Sequence, residues 1–230
     1  MTIAIKNLNF SWNQKENNLL KIANFEVLKG EKVFIYGPSG SGKSTFLGLL
    51  GGVLTPKEGE IKILDKAINK LPAAKRDCFR ADHIGFIFQQ FNLLPYLNVI
   101  ENVLLALPFS DRKSAKIAST GHSMEAEARR LLKALGLHDE SLYKQSVQHL
   151  SVGQQQRVAT ARALIGSPEI IIADEPSSAL DQDACQDFLE LLFKECRRNQ
   201  SILVFVSHDR TIAHLFDRTI SIDTFKPCSI

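Results

Sequence analysis

The eight residues Gly37-Pro-Ser-Gly-Ser-Gly42-Lys43-Ser44 constrain this chain more than any other stretch. They follow Val33-Phe-Ile-Tyr36, a short apolar run that reads as a buried strand. They precede Thr45-Phe-Leu-Gly-Leu-Leu, which reads as a helix ended by Gly51-Gly52. A strand, a glycine-rich turn and a helix in that order let backbone N–H groups curl around an anion, and the helix N-terminus adds positive partial charge. The spacing G-x-x-x-x-G-K-S is that of a phosphate-binding loop. Gly37, Pro38, Ser39, Gly40, Ser41, Gly42, Lys43, Ser44 and Thr45 are therefore candidate nucleotide contacts. In that reading Lys43 reaches the β- and γ-phosphates, and the Ser44 hydroxyl ligates Mg²⁺. The plainer alternative, a glycine-rich surface turn, does not account for the strand before it and the helix after it.

Ile170-Ile-Ile-Ala-Asp174-Glu175 is the second constraint. Three isoleucines bury a strand and fix where its end points. Asp174 is then placed to hold a Mg²⁺ shell, and Glu175, one residue further, to accept a proton from an attacking water. Alone, this pair could be a solvated strand end. Together with a phosphate loop it describes a nucleoside triphosphatase.

Around these motifs the chain alternates strands and helices. Ile3 and Ile5, then Leu8 and Phe10, have period-two spacing, with turn residues at Asn17-Asn18 and Lys29-Gly30. Strands are expected at 60–64 and 83–88, and helical texture runs from about 90 to 165. Within it, Ser123 is a candidate N-cap and Gly136 a stop for a helix with an Ala128, Leu131, Leu132, Leu135 stripe. A helix at 183–198, a strand at 201–207, a helix starting in Ser207-His-Asp-Arg-Thr-Ile and a strand at 218–222 complete the pattern. This order predicts an α/β domain with a mostly parallel sheet and an inserted helical lobe. The whole of 1–230 is expected to form one domain, with a catalytic core of about 1–88 and 158–230 and a helical subdomain of about 89–157.

Composition narrows the function. The 230 residues carry 28 basic and 25 acidic side chains, net +3, too balanced to argue for nucleic acid as a partner. The basic cluster Lys75 to Arg80 reads as a solvated face. Cys78, Cys185, Cys196 and Cys228 are far apart, without a C-x-x-C pair, which suits a reducing cytosol. The N-terminus lacks the basic flank and apolar core of a signal peptide, and no apolar run approaches the ~18 residues a membrane span needs.

The kind of triphosphatase is decided by His149-Leu-Ser-Val-Gly-Gln-Gln-Gln-Arg157. Leu150-Ser-Val-Gly-Gln154 resembles the signature of the ATP-binding cassette (ABC) family, and it stands before the Asp-Glu strand as in that family. Other motifs follow the same order. Gln89 matches the Q-loop glutamine, Ser178-Ala-Leu-Asp181 the D-loop, and His208 the switch histidine. Trp12 matches the aromatic that stacks on adenine, with Phe10 a nearby competitor. The resemblance spans essentially the whole chain. It implies a P-loop NTPase (RecA-like) core with an N-terminal antiparallel β subdomain. It also implies two copies that sandwich two Mg-ATP head to tail, each ATP meeting one chain's phosphate loop and the other's signature. Glu175 is then general base, and His208 holds the γ-phosphate and the attacking water. Gln89 contacts Mg²⁺ or water and reports to the helical lobe, and Asp181 communicates across the dimer. Ser151 as N-cap and Gln154 three residues on form a capping box, from which free N–H groups face the partner's γ-phosphate. Val152 replaces the first signature glycine. As first helical residue it needs only a negative φ, while Gly153 remains for close phosphate approach, so the site is expected to work.

The resemblance also implies separate membrane subunits docking on Gln89 to Val103, at the cytoplasmic face of a bacterial inner membrane. The spelling of IGFIFQ, LLP-x-L-x-x-x-ENV, ADEP and SHD looks most like the macrolide-exporter and lipoprotein-releasing branch. Polar amino-acid importers are the runner-up. A slow-turnover regulatory scaffold is a third reading, which intact Glu175 and His208 disfavour. Soluble cassettes acting on nucleic acid would need a coiled-coil insert or a second cassette. Ser177 stands where threonine is common, the proline usual before the signature is absent, and the end of the sequence offers nothing for a ligand-sensing tail.

Overall fold

The computed structural model describes residues 3–12 and 19–227; the turn expected at Asn17-Asn18 lies outside them. In chain order the elements are β1 (Ile3–Phe10), β2 (Leu20–Val27), β3 (Lys32–Tyr36), α1 (Lys43–Leu50), β4 (Glu58–Ile63), β5 (Lys66–Ala67), α2 (Ala73–His83) and β6 (Ile84–Ile87). There follow α3 (Val99–Leu104), α4 (Asp111–Ala118), α5 (Met124–Ala134), α6 (Val152–Leu164), β7 (Ile170–Asp174), α7 (Gln182–Asn199), β8 (Ile202–Ser207) and β9 (Arg218–Ser221). They divide into two compact units, Met1–Arg80 with Ile202–Ile230, and Ala81–Ser201.

The first unit holds an antiparallel sheet ordered β2-β1-β4-β5. Its apolar pattern changes phase midway, since the buried residues of β1 are Ile3 and Ile5, then Leu8 and Phe10. A one-residue phase change would turn side chains to the wrong face of a regular strand. The chain absorbs it at Asn7, whose φ is 50°, where the β1–β4 register shifts between Lys6 and Asn9. Opposite lies Gly59, φ 93°, where a β-carbon would run into the Asn7 backbone. The same unit pairs β3 in parallel with β8 and with β9. Val33, Phe34 and Ile35 are buried, as is β8 from Ile202 to Ser207, the continuous burial expected of parallel strands covered on both faces. The segment expected to begin a helix after β8 is instead a 3₁₀ turn, Arg210–Leu215. Asp209 Oδ1 accepts from both the N–H and the hydroxyl of Thr211 and so caps this turn, and the extended backbone of Phe216 ends it after six residues, before a regular α-helix is established.

In the second unit β6 and β7 pair in parallel, Ile84 opposite Ile170. Helix α6 lies so close to β6 that a β-carbon on Gly85 would overlap the Ala163 carbonyl oxygen. Glycine is required there by contact. Helix α5 buries Ala128, Leu131 and Leu132, and Leu135 beyond its end, against the same core. The stretch 89–98 is not helical; the first helix after it, α3, starts at Asn98, which forms a reciprocal capping box with Glu101.

One buried cation stands out in this unit. Lys113 of α4 packs its stem on Gly166 and directs Nζ at the Ile84 carbonyl, 3.4 Å away. Burial pushes its pKa down to about 8, against the pull of Asp82 and Glu169. The ordinary value is near 10.4, so the charged lysine costs the folded state on the order of 3 kcal/mol below pH 8. Between the folded and unfolded values the unfolded chain binds more protons, so stability rises with pH there. Lys113→Met is expected to be the more stable protein in urea unfolding at pH 7. Its advantage should shrink as pH rises from 8 toward 10; an advantage independent of pH would refute this account.

Candidate functional site

In the first unit β3 delivers the chain into the loop Gly37–Gly42 and α1 leaves it. The helix starts at Gly42, φ 102°, with no side-chain cap. Among the described residues the backbone closes this region on itself through Ser41 N–H to the Pro38 carbonyl and Phe46 N–H to the Gly42 carbonyl. The N–H groups of Gly40, Gly42, Ser44 and Thr45 meet no acceptor there. Lys43 is buried and donates from Nζ to the carbonyls of Gly37 and Pro38, each at 2.9 Å, so its ammonium lies across the mouth of the loop. Ser41 Oγ is buried without a hydrogen-bond partner. Gly37 touches Ile222 so closely that no larger residue fits. Unmet donors, a braced ammonium and an orphaned hydroxyl together make a cradle for a polyanion.

Two more expected residues belong to this unit. Trp12 is 62% exposed and sits edge-on to Phe10, centroids 5.3 Å apart, whereas Phe10 is 5% exposed. Of the two rings, Trp12 alone offers a face. His208 is exposed directly after β8. Beside it, the hydrogen bonds from Thr211 hold the Asp209 carboxyl below its usual range.

The second unit carries the remaining residues. Strand β7 buries Ile170, Ile171, Ile172 and Ala173, then presents Asp174 and Glu175 half-buried. Glu175 has φ 44°, a left-handed backbone that costs a non-glycine residue about 1–3 kcal/mol. Its position is fixed by a turn, Ser178 N–H to the Glu175 carbonyl at 3.2 Å, and by Gln156 Nε2 donating to the Pro176 carbonyl at 2.6 Å. Asp181 caps α7, accepting from Ala184 N–H at 2.8 Å.

Helix α6 begins in a complete capping box. Gln154 N–H donates to Ser151 Oγ at 3.3 Å, and Ser151 N–H donates to Gln154 Oε1 at 2.8 Å. Among the described residues the N–H groups of Val152 and Gly153 find no acceptor. Val152 is 48% exposed, and the space beside Gly153 is open, with Leu180 the nearest group at 3.7 Å from a notional β-carbon. The end of α6 is thus a second outward-facing set of donors.

Gln89 is exposed and leads into a loop whose Phe91 and Asn92 have φ of 43° and 50°. Arg162 of α6 donates to both of their carbonyls, at 2.5 and 2.6 Å. Further on, the buried Asn102 accepts from Leu94 N–H at 2.8 Å and donates to the carbonyls of Leu94, Leu97 and Asn98. Ser146 Oγ adds a bond to the Pro95 carbonyl, 2.9 Å. The tip residue Tyr96 is 78% exposed, while Phe91, Leu93 and Leu94 are half-buried.

The family model for ABC transporters matches residues 20–178, a stretch that includes the phosphate loop, the signature and the Asp-Glu strand. The chain belongs to the ABC transporter family. It is an ABC-type ATPase. The cassette is 40% identical to the ABC transporter ATP-binding protein MJ0796 of Methanocaldococcus jannaschii, over 95% of this chain and 92% of that one. It is 36% identical to the putative hemin import ATP-binding protein HrtA of Staphylococcus epidermidis, over 96% of each. Among solved structures it superposes on the dimeric MJ0796 cassette with a TM-score of 0.80 at 38% identity, covering 95% of this chain and 93% of that one. A post-hydrolysis dimer of MJ0796 bound to ADP and Pi matches with a TM-score of 0.78 at 36% identity, with the same coverage.

Three residues that hold the segments carrying the candidate site, Asn102, Gln156 and Arg162, received no role from the sequence. The available signal was a polar side chain interrupting an apolar face. Asn102 lies between Val99 and Val103, and Arg162 lies within Val-Ala-Thr-Ala-Arg-Ala-Leu.

The capping box generates a direct prediction. Ser151→Ala is expected to lower stability by about 1 kcal/mol in urea unfolding, with Ser151→Thr recovering most of it.

Proposed function

We propose that this chain is the ATP-hydrolysing motor subunit of a membrane transporter, working as a head-to-tail pair around two Mg-ATP and driving separate membrane subunits. The observation that carries the reading is the presence, in one chain, of two outward-facing sets of unmet donors: the phosphate loop with Lys43, and the capped start of α6. A single nucleotide engaged by the loop of one copy and the signature of another uses both. Dimers of the MJ0796 cassette support the pairing. The structure of cbiO1, a part of the cbiONQ transporter complex, has a TM-score of 0.78 at 25% identity and supports a membrane partner. Among the described residues no helix is long and apolar enough to cross a membrane, so spanning segments are assigned to that partner. Residues 1–230 act in this reading as one cassette.

Roles follow for the chain's own residues. The loop from Gly37 to Gly42, with Lys43, Ser44 and Thr45, holds the phosphates, and Trp12 stacks on the base. Ser44, Gln89 and Asp174 are oxygen donors of the kind Mg²⁺ accepts, and the exposed Ser44 at the first turn of α1 suits that set. When bound, the ion offsets the charge of the phosphates. Glu175 takes a proton from the water that attacks the γ-phosphorus, and His208 orients that water against the γ-phosphate as ADP departs. Ser151, Gly153 and Gln154 complete the partner's site, and Asp181 borders the paired chain. The loop Gln89 to Val103, with Tyr96 at its exposed tip, receives the membrane subunit at the cytoplasmic face.

The branch proposed is that of macrolide exporters and lipoprotein-releasing systems, supported by the spelling of IGFIFQ, LLP-x-L and SHD. The likeness to HrtA supports a second reading in which the membrane partner handles a hemin-like molecule.

Glu175→Gln should accumulate as a dimer with Mg-ATP, because the sandwich forms and the water is not deprotonated. Gel filtration showing monomer alone at saturating Mg-ATP would overturn the pairing. The chain purified from its native membranes is expected to bring a permease of few spans with a large outer domain. Recovery of an importer permease with a binding protein would overturn the branch.

A further inference from the structure

Helix α6 reaches three parts of the proposed site. Its own N-terminus is the signature, locked by the Ser151–Gln154 box. Further along, the buried Gln156 grips the carbonyl of Pro176, the residue after Glu175. Arg162, near the far end, grips the carbonyls of Phe91 and Asn92, two and three residues after Gln89. Both gripped segments hold non-glycine residues in left-handed backbone: Glu175 at φ 44°, and Phe91 and Asn92 at 43° and 50°. Such conformations persist only where neighbours over-determine them. No carboxylate among the described residues pairs with Arg162, so its charge is directed at these two carbonyls, and burial lowers its proton affinity. An apolar side chain would pack there at less desolvation cost.

We propose that Gln156 and Arg162 are positioning residues that make α6 a strut between the signature, the hydrolytic carboxylate and the partner-facing loop. A thirteen-residue helix seated on Gly85 does not bend easily, so a shift at its capped end moves both gripped carbonyl sets together. Contact of the signature with the partner's nucleotide is thereby felt at Glu175 and at Gln89 through one rigid body. The inference rests on the proposed reading of those residues as parts of an ATP site.

The test uses the full chain with Mg-ATP. Arg162→Ala should lower kcat at least tenfold while KM stays within twofold, because the phosphate loop is untouched. Amide hydrogen exchange at 89–98 should accelerate at least tenfold. Arg162→Lys keeps the charge, but one ammonium cannot match the planar grip on two carbonyls, and kcat should fall at least threefold; this variant decides the matter if the alanine protein does not fold. Gln156→Met should lower kcat similarly, with faster exchange at 174–180. Lys116→Ala is the control. It removes a side-chain grip on a backbone carbonyl, that of Ser167, from a residue outside α6, and should leave kcat within twofold. An unchanged kcat in Arg162→Ala, unchanged exchange at 89–98, or an equal fall in the control overturns the inference. If the natural chain hydrolyses no ATP, the proposed function fails, and exchange alone then judges the strut.

Discussion

The close seating of α6 on β6 is the contact on which the second unit depends. Gly85 has no side chain, and Ala163 brings its carbonyl into the space a β-carbon would fill. Ala159 and Ala163, four residues apart on one face, keep that side of the helix thin. Hydrogen bonds weaken steeply once donor and acceptor separate by more than a few tenths of an ångström beyond 3 Å. The grips of Gln156 at 2.6 Å and of Arg162 at 2.5 and 2.6 Å are made from a helix held in this seat. Interiors at this density transmit displacement rather than absorb it.

The two donor-bearing ends are built differently, and the difference suits their proposed uses. At the phosphate loop the chain leaves its own donors open and braces Lys43 on two carbonyls at 2.9 Å, so positive charge is in place before any ligand arrives. At the signature the first turn satisfies itself through Ser151 and Gln154 and leaves only Val152 and Gly153 outward. A helix end contributes typically 0.3–1 kcal/mol to an anion, so the second end is a weak site alone. In the proposed function it serves as the closing half of a site already occupied, so that assembly of two copies would be conditional on nucleotide.

Features governed by near neighbours in sequence were legible in the sequence. The phosphate loop between β3 and α1, the isoleucine strand before Asp174, the α5 stripe and the Ser151 cap all depend on residues within a few positions of one another. The Ile3, Ile5, Leu8, Phe10 pattern was legible as strand, but its phase change required the bulge at Asn7, visible only against Gly59. The segment after His208 has the cap of a helix in Asp209, but the chain turns extended at Phe216 and leaves only a 3₁₀ run, an ending that the sequence there does not signal. The grips were hidden for another reason: Arg162 meets Asn92 across 70 residues and Gln156 meets Pro176 across 20. No periodicity reports such a partner. Nor does any pattern predict a left-handed backbone at Glu175, because glutamate is a poor choice for it and surrounding contacts impose it.

The loop from Leu94 to Asn98 separates shape from display. Asn102 and Ser146 set its path from behind, and Tyr96 stands at the tip, 78% exposed. Residues at such a tip can change identity without disturbing the fold that carries them. In the proposed function the display toward a membrane subunit can thus be altered at the tip alone, while Asn102 and Ser146 keep the path of the loop.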